Sequence, residues 1–144
     1  MDIKFAIAIH ILVMISESDE RLNSQALATS VGTNASYIRK IIGYLKKKEI
    51  VTAHQGKSGY QLNQRPEDIT LLDIYYATQE VERVELFQIH QNSNEQCPVG
   101  QHIEGALSPV FLEVENHLTT VLASQTLQNV IDRLYEEANK RKSK

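Results

Sequence analysis

Apolar residues recur at helical intervals along most of this chain, and the breaks in that rhythm divide it into elements. Residues 3–16 are apolar almost all round. Phe5, Ile9 and Leu12 line one side, and Ile3, Ile7, Ile11 and Met14 line another, which predicts a helix buried on two sides. One side would pack within the chain and the other against a partner subunit. Next, Leu27, Ala28 and Val31 form a short stripe behind Asn23 or Ser24 as N-cap, closed by Gly32. Asn34 or Ser36 opens a further helix in which Ile38, Ile41, Ile42 and Leu45 stand at i, i+3, i+4 and i+7. Ser36, Arg39, Lys40, Gly43 and Lys47 fall on its opposite face. Two helices joined by so short a turn predict a helix-turn-helix, and a bare glycine among polar and basic residues suits a helix pressed against a surface.

The pattern then shortens. Residues 50–54 and 60–62 are strand-like, and Gly56, Lys57, Ser58 and Gly59 between them describe a hairpin whose tip can approach phosphates. After Arg65-Pro66, Thr70 and Asp73 have capping-box spacing, so a helix should run from about Leu71 to Gln79. Residues 85–90 are compatible with an extended run or a helical turn, and 91–94 with a loop. From Val99 onward Ile103, Leu107, Val110, Val114, Leu118, Val121 and Leu122 keep helical spacing over a length that suits a dimerisation spine. Pro109 removes a backbone donor within it, which predicts a kink or break near residues 105–108. A last helix should begin at Ser124 or Thr126, with Leu127, Val130, Ile131 and Leu134 inward, and end in a frayed basic tail over 140–144. The fold class expected is mainly α with a small two-stranded β wing. Residues 1–79 would form a winged helix-turn-helix with the 124–139 helix packed on it, and 80–123 a sensing loop and long dimerisation helix.

Charge sharpens this picture. Residues 22–65 hold seven bases and one acid, net +6, whereas the whole chain of 144 residues carries a formal −3. Residues 66–138 hold thirteen acids and two bases, net −11. A basic head on an acidic body would orient the protein on a polyanion and argues against wrapping DNA around the whole molecule. The chain length fits one compact core with a helical extension. A single cysteine excludes an intrachain disulfide. The apolar run at 3–15 contains Lys4 and His10 and is too short to span a bilayer, so a cytoplasmic protein is expected.

The residues also carry a resemblance. Ala26-Leu27-Ala28, then Tyr37-Ile38-Arg39-Lys40-Ile41 and Leu45, then Gly56-Lys57-Ser58-Gly59-Tyr60, and Ile69-Thr70-Leu71-Leu72-Asp73-Ile74 follow one order and spacing. That order resembles the IscR/NsrR-type winged-helix transcriptional regulators, the Rrf-two family, over nearly the whole chain. Cys97-Pro98-Val99-Gly100 before a long helix looks most like the cluster-free YwnA-like branch. The resemblance implies a transcriptional regulator, most often a repressor. Many relatives hold an iron–sulfur cluster with three cysteines in the loop before the long helix. With Cys97 alone here, such a cluster is not expected and no cofactor is assigned.

Candidate contacts to a duplex operator are Ser24, Asn34, Ser36, Tyr37, Arg39, Lys40, Gly43, Lys46, Lys47, Gly56, Lys57 and Ser58. Ser36, Tyr37, Arg39 and Lys40 are placed near base edges, because the N-terminal residues of a recognition helix enter the groove first. Lys46, Lys47 and Lys57 are placed on phosphates. Homodimerisation is assigned to Ile7, Ile11, Leu107, Val110, Val114, Leu118 and Val121. Cys97, at a helix start that favours thiolate, is the candidate sensor of an oxidant or small molecule; the plainer reading is an unreactive loop residue. His10 is expected to be a hydrogen-bonded core residue. Glu113 and His117, four apart, are too few to make a metal site. No nucleophile–base–orienter set is present, so an enzyme is not expected. The alternative function is a protein-interaction module of the same fold that modulates a partner enzyme. A small redox protein built on Cys97 is a third.

Overall fold

The computed structural model describes residues 3–53 and 59–142. Its elements are helices α1 (Lys4–Glu17), α2 (Ser24–Val31) and α3 (Ala35–Lys47), strands β1 (Val51–Ala53) and β2 (Tyr60–Leu62), then α4 (Leu71–Gln79), α5 (Pro98–Ser124) and α6 (Leu127–Lys142). A short 3-10 turn at Pro66–Asp68 precedes α4. This is the mainly helical chain with a two-stranded antiparallel wing that the pattern predicts. No helix among the described residues is long and apolar enough to cross a membrane.

Local chemistry sets most boundaries. Asn23 accepts the Ala26 N–H at 2.9 Å to start α2, and Gly32, at φ 86°, ends it. Asn34 accepts the Tyr37 N–H at 2.8 Å to start α3. Past its end Glu49 takes a left-handed φ of 58°, and Asn63 Nδ2 donates to the Glu49 carbonyl at 2.9 Å. β1 and β2 pair in the register Val51–Leu62, Thr52–Gln61 and Ala53–Tyr60, and Tyr60 N–H donates to the Leu22 carbonyl at 3.1 Å. The wing is thereby held to the entry of α2. Gly59 (φ 104°) passes so close to Arg21 that an added Cβ would lie 2.6 Å from the Arg21 Cβ, so only glycine fits. Thr70 and Asp73 form the predicted capping box of α4.

The core forms around α1, which packs on α2, α3, α4, α6 and β2. Ile7, Ile11 and Leu12 meet Leu27, the inner face of α3 (Ile38, Ile41, Ile42, Leu45), Ile50, Ile69, Ile74, Leu127 and Ile131. Each fully buried Leu or Ile is worth about 1.5–3 kcal/mol. This arrangement corrects one expectation. Ile7 and Ile11 are 8% and 0% exposed within the single chain, so they belong to its own core and offer a partner nothing. Both sides of α1 are covered internally because α2, α3, α4, α6 and β2 all pack on it, long-range events invisible to local periodicity.

α5 differs from the expected shape and burial. It runs without a break through Pro109. Pro109 and Gly105 are both exposed, so water can satisfy the carbonyl that lacks an N–H partner. None of its residues is buried. The joint between α5 and α6 is tied to the start of α4: Leu71 N–H donates to the Gln125 carbonyl (2.9 Å), and Leu127 N–H to the Ile69 carbonyl (2.8 Å). Thr126 and Asn129 cap α6 reciprocally, at 2.9 and 3.1 Å. α6 buries Leu127 and Ile131, half-buries Val130 and leaves Leu134 exposed, while Tyr135 Oη donates to Glu17 at the end of α1. It stays helical to Lys142 rather than fraying from 140. Residues 80–97 form no regular element, and 85–90 are neither strand nor helix.

Candidate nucleic-acid interface

α2 and α3 pack on each other through the buried Leu27, Ala28, Ile38 and Ile41, which turns the other face of α3 outward. Ser36, Arg39, Lys40, Lys46 and Lys47 are exposed there, and Gly43 lies half-buried among them. No acid occurs anywhere in α3. A Cβ on Gly43 would meet nothing within 4 Å, so the chain's own packing does not call for a glycine at that position.

The remaining candidates on the two helices are more committed to the protein. Asn34 is exposed, but its side chain is the α3 cap. Tyr37 is half-buried and packs against the core. Ser24 is half-buried, and its Oγ accepts a hydrogen bond from Arg39 Nη1 at 3.3 Å, which leans the guanidinium toward the start of α2. Lys47 Nζ lies 3.7 Å from a Glu80 carboxylate oxygen, both ends largely exposed, an ion pair of little strength in water. Gly56, Lys57 and Ser58 lie outside the described residues. The strands that carry them flank α3's C-terminal end, with β1 starting four residues after α3 finishes.

One basic residue escaped the sequence pattern. Arg21, exposed at the base of the wing, donates from Nη2 to Gln61 Oε1 at 3.1 Å. It sits just outside the basic stretch in sequence, and only the pairing of residue 22 with Tyr60 brings it to the wing. Lys4 likewise reaches α3 from α1, with Nζ 5.4 Å from the centre of the Tyr44 ring.

The second candidate region is at the start of α5. Cys97 is exposed and occupies the N-cap position, with Pro98 next. It makes no full capping hydrogen bond, yet the backbone N–H groups of Gly100 and Val99 at the helix start act on its sulfur and hold the thiol below its ordinary pKa. Asn94 fastens the loop beneath: its carbonyl accepts the Cys97 N–H at 3.1 Å. Gly100 allows that contact, because a Cβ there would come 2.4 Å from the Asn94 carbonyl oxygen. Beside it an open polar hollow of about 460 Å³ is lined by residues including His90, Glu95, Gln101 and Glu104. His10, expected in the core, is instead exposed, its Nε2 3.0 Å from Ser30 Oγ, because α1 turns that position outward.

Along α5 the apolar residues divide into two stripes. Phe111, Leu118 and Leu122 are half-buried on the side facing α4, and Leu107 is half-buried beside them. About a quarter turn away, by the 3.6-residue period, Val99, Val110, Val114 and Val121 are 68, 53, 43 and 56% exposed.

The family described as Rrf2, iron-dependent transcriptional regulator, matches residues 1–133. The chain is 42% identical over 132 residues to YwnA of Bacillus subtilis (strain 168), an HTH-type transcriptional regulator by name, covering 92% of this chain and 97% of that one. It is similar to a crystallised protein described as DNA-binding, with a TM-score of 0.73 and 38% identity over 89% of this chain and 98% of that chain. The IscR structure from T. potens shares the fold, with a TM-score of 0.69 and 18% identity over 95% of this chain and 89% of that chain. The iron in the family description does not suit the residues present here. The chain has one cysteine, and no three His, Cys, Asp or Glu side chains gather as metal ligands among the described residues. Helix-turn-helix, wing and long helix thus agree with the family match over most of the chain: this protein belongs to the Rrf2 family of DNA-binding transcriptional regulators, and it is not an enzyme.

Proposed function

We propose that the protein is a cytoplasmic, sequence-specific repressor that binds a pseudo-palindromic operator as a homodimer. The observation that carries this reading is the exposed face of α3, where Ser36, Arg39, Lys40, Lys46 and Lys47 surround Gly43 with no acid among them. A glycine within a helix costs about 1 kcal/mol relative to alanine. Nothing among the described residues offsets that cost at Gly43, whereas close approach of a DNA backbone would.

Ser36, Arg39 and Lys40 would enter the major groove, with Tyr37 and Ser24 bracing them, and Asn34 would offer the capped helix start to a phosphate. Lys46, Lys47, Arg21 and the wing residues Gly56, Lys57 and Ser58 would track the backbone. Residues 1–79, with the helix over 124–139, act as the head, and 80–123 as the sensing and dimerising part. The exposed valines Val110, Val114 and Val121, with Leu107 and Leu118 beside them, would pair with those of a second copy. The two α3 helices would then enter major grooves about 34–36 Å apart. Selection of binding sites from a random duplex library tests this. Inverted half-sites one helical turn apart are expected, and recovery of no common sequence would refute it.

A signal would act on residues 85–105, supported by the exposed, pKa-lowered Cys97 and the neighbouring hollow. Oxidation of Cys97 should weaken operator binding. A Cys97→Ser variant that loses DNA on peroxide treatment as readily as the unaltered protein would eliminate Cys97 as the sensor.

A further inference from the structure

Among the described residues, and beyond the N-cap bond to Asn94, hydrogen bonds tie α5 to the rest of the chain at two places. One is its C-terminal joint, where the backbone around Gln125 and Leu127 bonds to residues 69 and 71 at the start of α4. The other is a single side chain. Glu115 Oε2 accepts the backbone N–H of Leu86 at 2.6 Å and that of Phe87 at 3.4 Å. One turn earlier the Phe111 ring stands 4.8 Å from the Phe87 ring, tilted by 31°. The segment so held leaves α4, which packs on α3, at Glu80 and passes through the buried Val84. It therefore runs from the helix that backs α3 to the middle of α5.

The half-buried stripe of Phe111, Leu118 and Leu122 packs α5 on the side facing α4, but apolar contact is not directional, so the helix can still tilt about its joint. Glu115 stands ten residues before Gln125, about 15 Å along the axis, and supplies a second fixed point. Its bonds are charge-assisted, roughly twice as strong as neutral ones. We propose that Glu115 is a positioning residue for DNA binding. By clamping residues 86 and 87 to α5 it sets the direction of the exposed valine stripe relative to α3, and so the separation of the two α3 helices in the dimer. This rests on the dimeric DNA-binding reading above. Glu115 itself lies on the acidic body, away from α3.

The test uses full-length Glu115→Ala and Glu115→Gln proteins. Their affinities are measured for the best duplex that the unaltered protein selects from a random library, and for a scrambled duplex. Hydrogen exchange is followed at the Leu86 and Phe87 amides. Glu115→Ala should lose about 5- to 150-fold on the selected duplex, keep its affinity for the scrambled one, and exchange faster at those two amides. Glutamine retains an oxygen for the same donors, so Glu115→Gln should keep most of the preference. Undiminished preference in Glu115→Ala would overturn the proposal. So would a glutamine variant that loses preference while both amides stay protected. If alanine unfolds the head, seen as fast exchange throughout α3, the glutamine variant decides: preference and amide protection must be kept or lost together. Failure of the unaltered protein to select any duplex would refute the reading beneath, and this proposal with it.

Discussion

Arg39 and Lys47 lie on one face of α3, yet they should fail differently when removed. Arg39 is near the N-terminal end, where a guanidinium can meet a base edge bidentately once it leaves Ser24 Oγ. Arg39→Ala should cost about 1–3 kcal/mol on the operator and far less on random duplex. Lys47→Ala should weaken both equally and lower the salt slope by about one unit. Identical losses on both duplexes from both variants, measured by anisotropy, would remove the distinction between base reading and phosphate holding. Cys97 makes a pH prediction. Because the Gly100 and Val99 N–H groups at the helix start lower its pKa, the thiolate should persist to lower pH than in a free cysteine. The rate of its alkylation by iodoacetamide should therefore reach half its maximum below the ordinary thiol value of about 8.5. A midpoint at or above that value would mean that the helix start does not stabilise the thiolate.

The elements show which features a sequence makes visible. The caps Asn23, Asn34 and Thr70 are legible because each accepts from an N–H only three residues ahead. The outward face of α3 is legible for the same reason, since its four buried residues determine it. What closes over long distances is not. The burial of Ile7 and Ile11 comes from α1 packing on elements as distant as α4 and α6, and Arg21 reaches the wing only through strand pairing. Pro109 is a different case, where a local rule overstates its effect because exposed backbone can turn to water. Pro109→Ala restores a donor to the Gly105 carbonyl and should raise Tm, by up to about 3 kcal/mol of stability. A fall in Tm would mean that the proline is favourable where it stands.

At the scale of the molecule, a basic head and a body of net −11 give the protein a direction on DNA. The valine stripe of α5 is the surface proposed for a second copy, because four large apolar side chains stand exposed in one line beside a stripe already used internally. Val114→Glu should leave the single chain folded, as residue 114 is 43% exposed in it, while dissociating the dimer by about 3–5 kcal/mol. Sedimentation would show a monomer with unchanged helix content, and operator affinity should fall with it. A Val114→Glu protein that remains dimeric would move the interface away from this stripe.

The central claim, that the α3 face reads a DNA sequence, is tested most directly by fluorescence anisotropy of the reduced protein. It would be titrated against the DNA upstream of its own gene and against random duplex, each at two salt concentrations. Binding to the upstream DNA should be at least ~1,000-fold tighter, with affinity falling steeply as salt rises. Equal affinity for the two duplexes at both salt concentrations, or binding indifferent to salt, would contradict it.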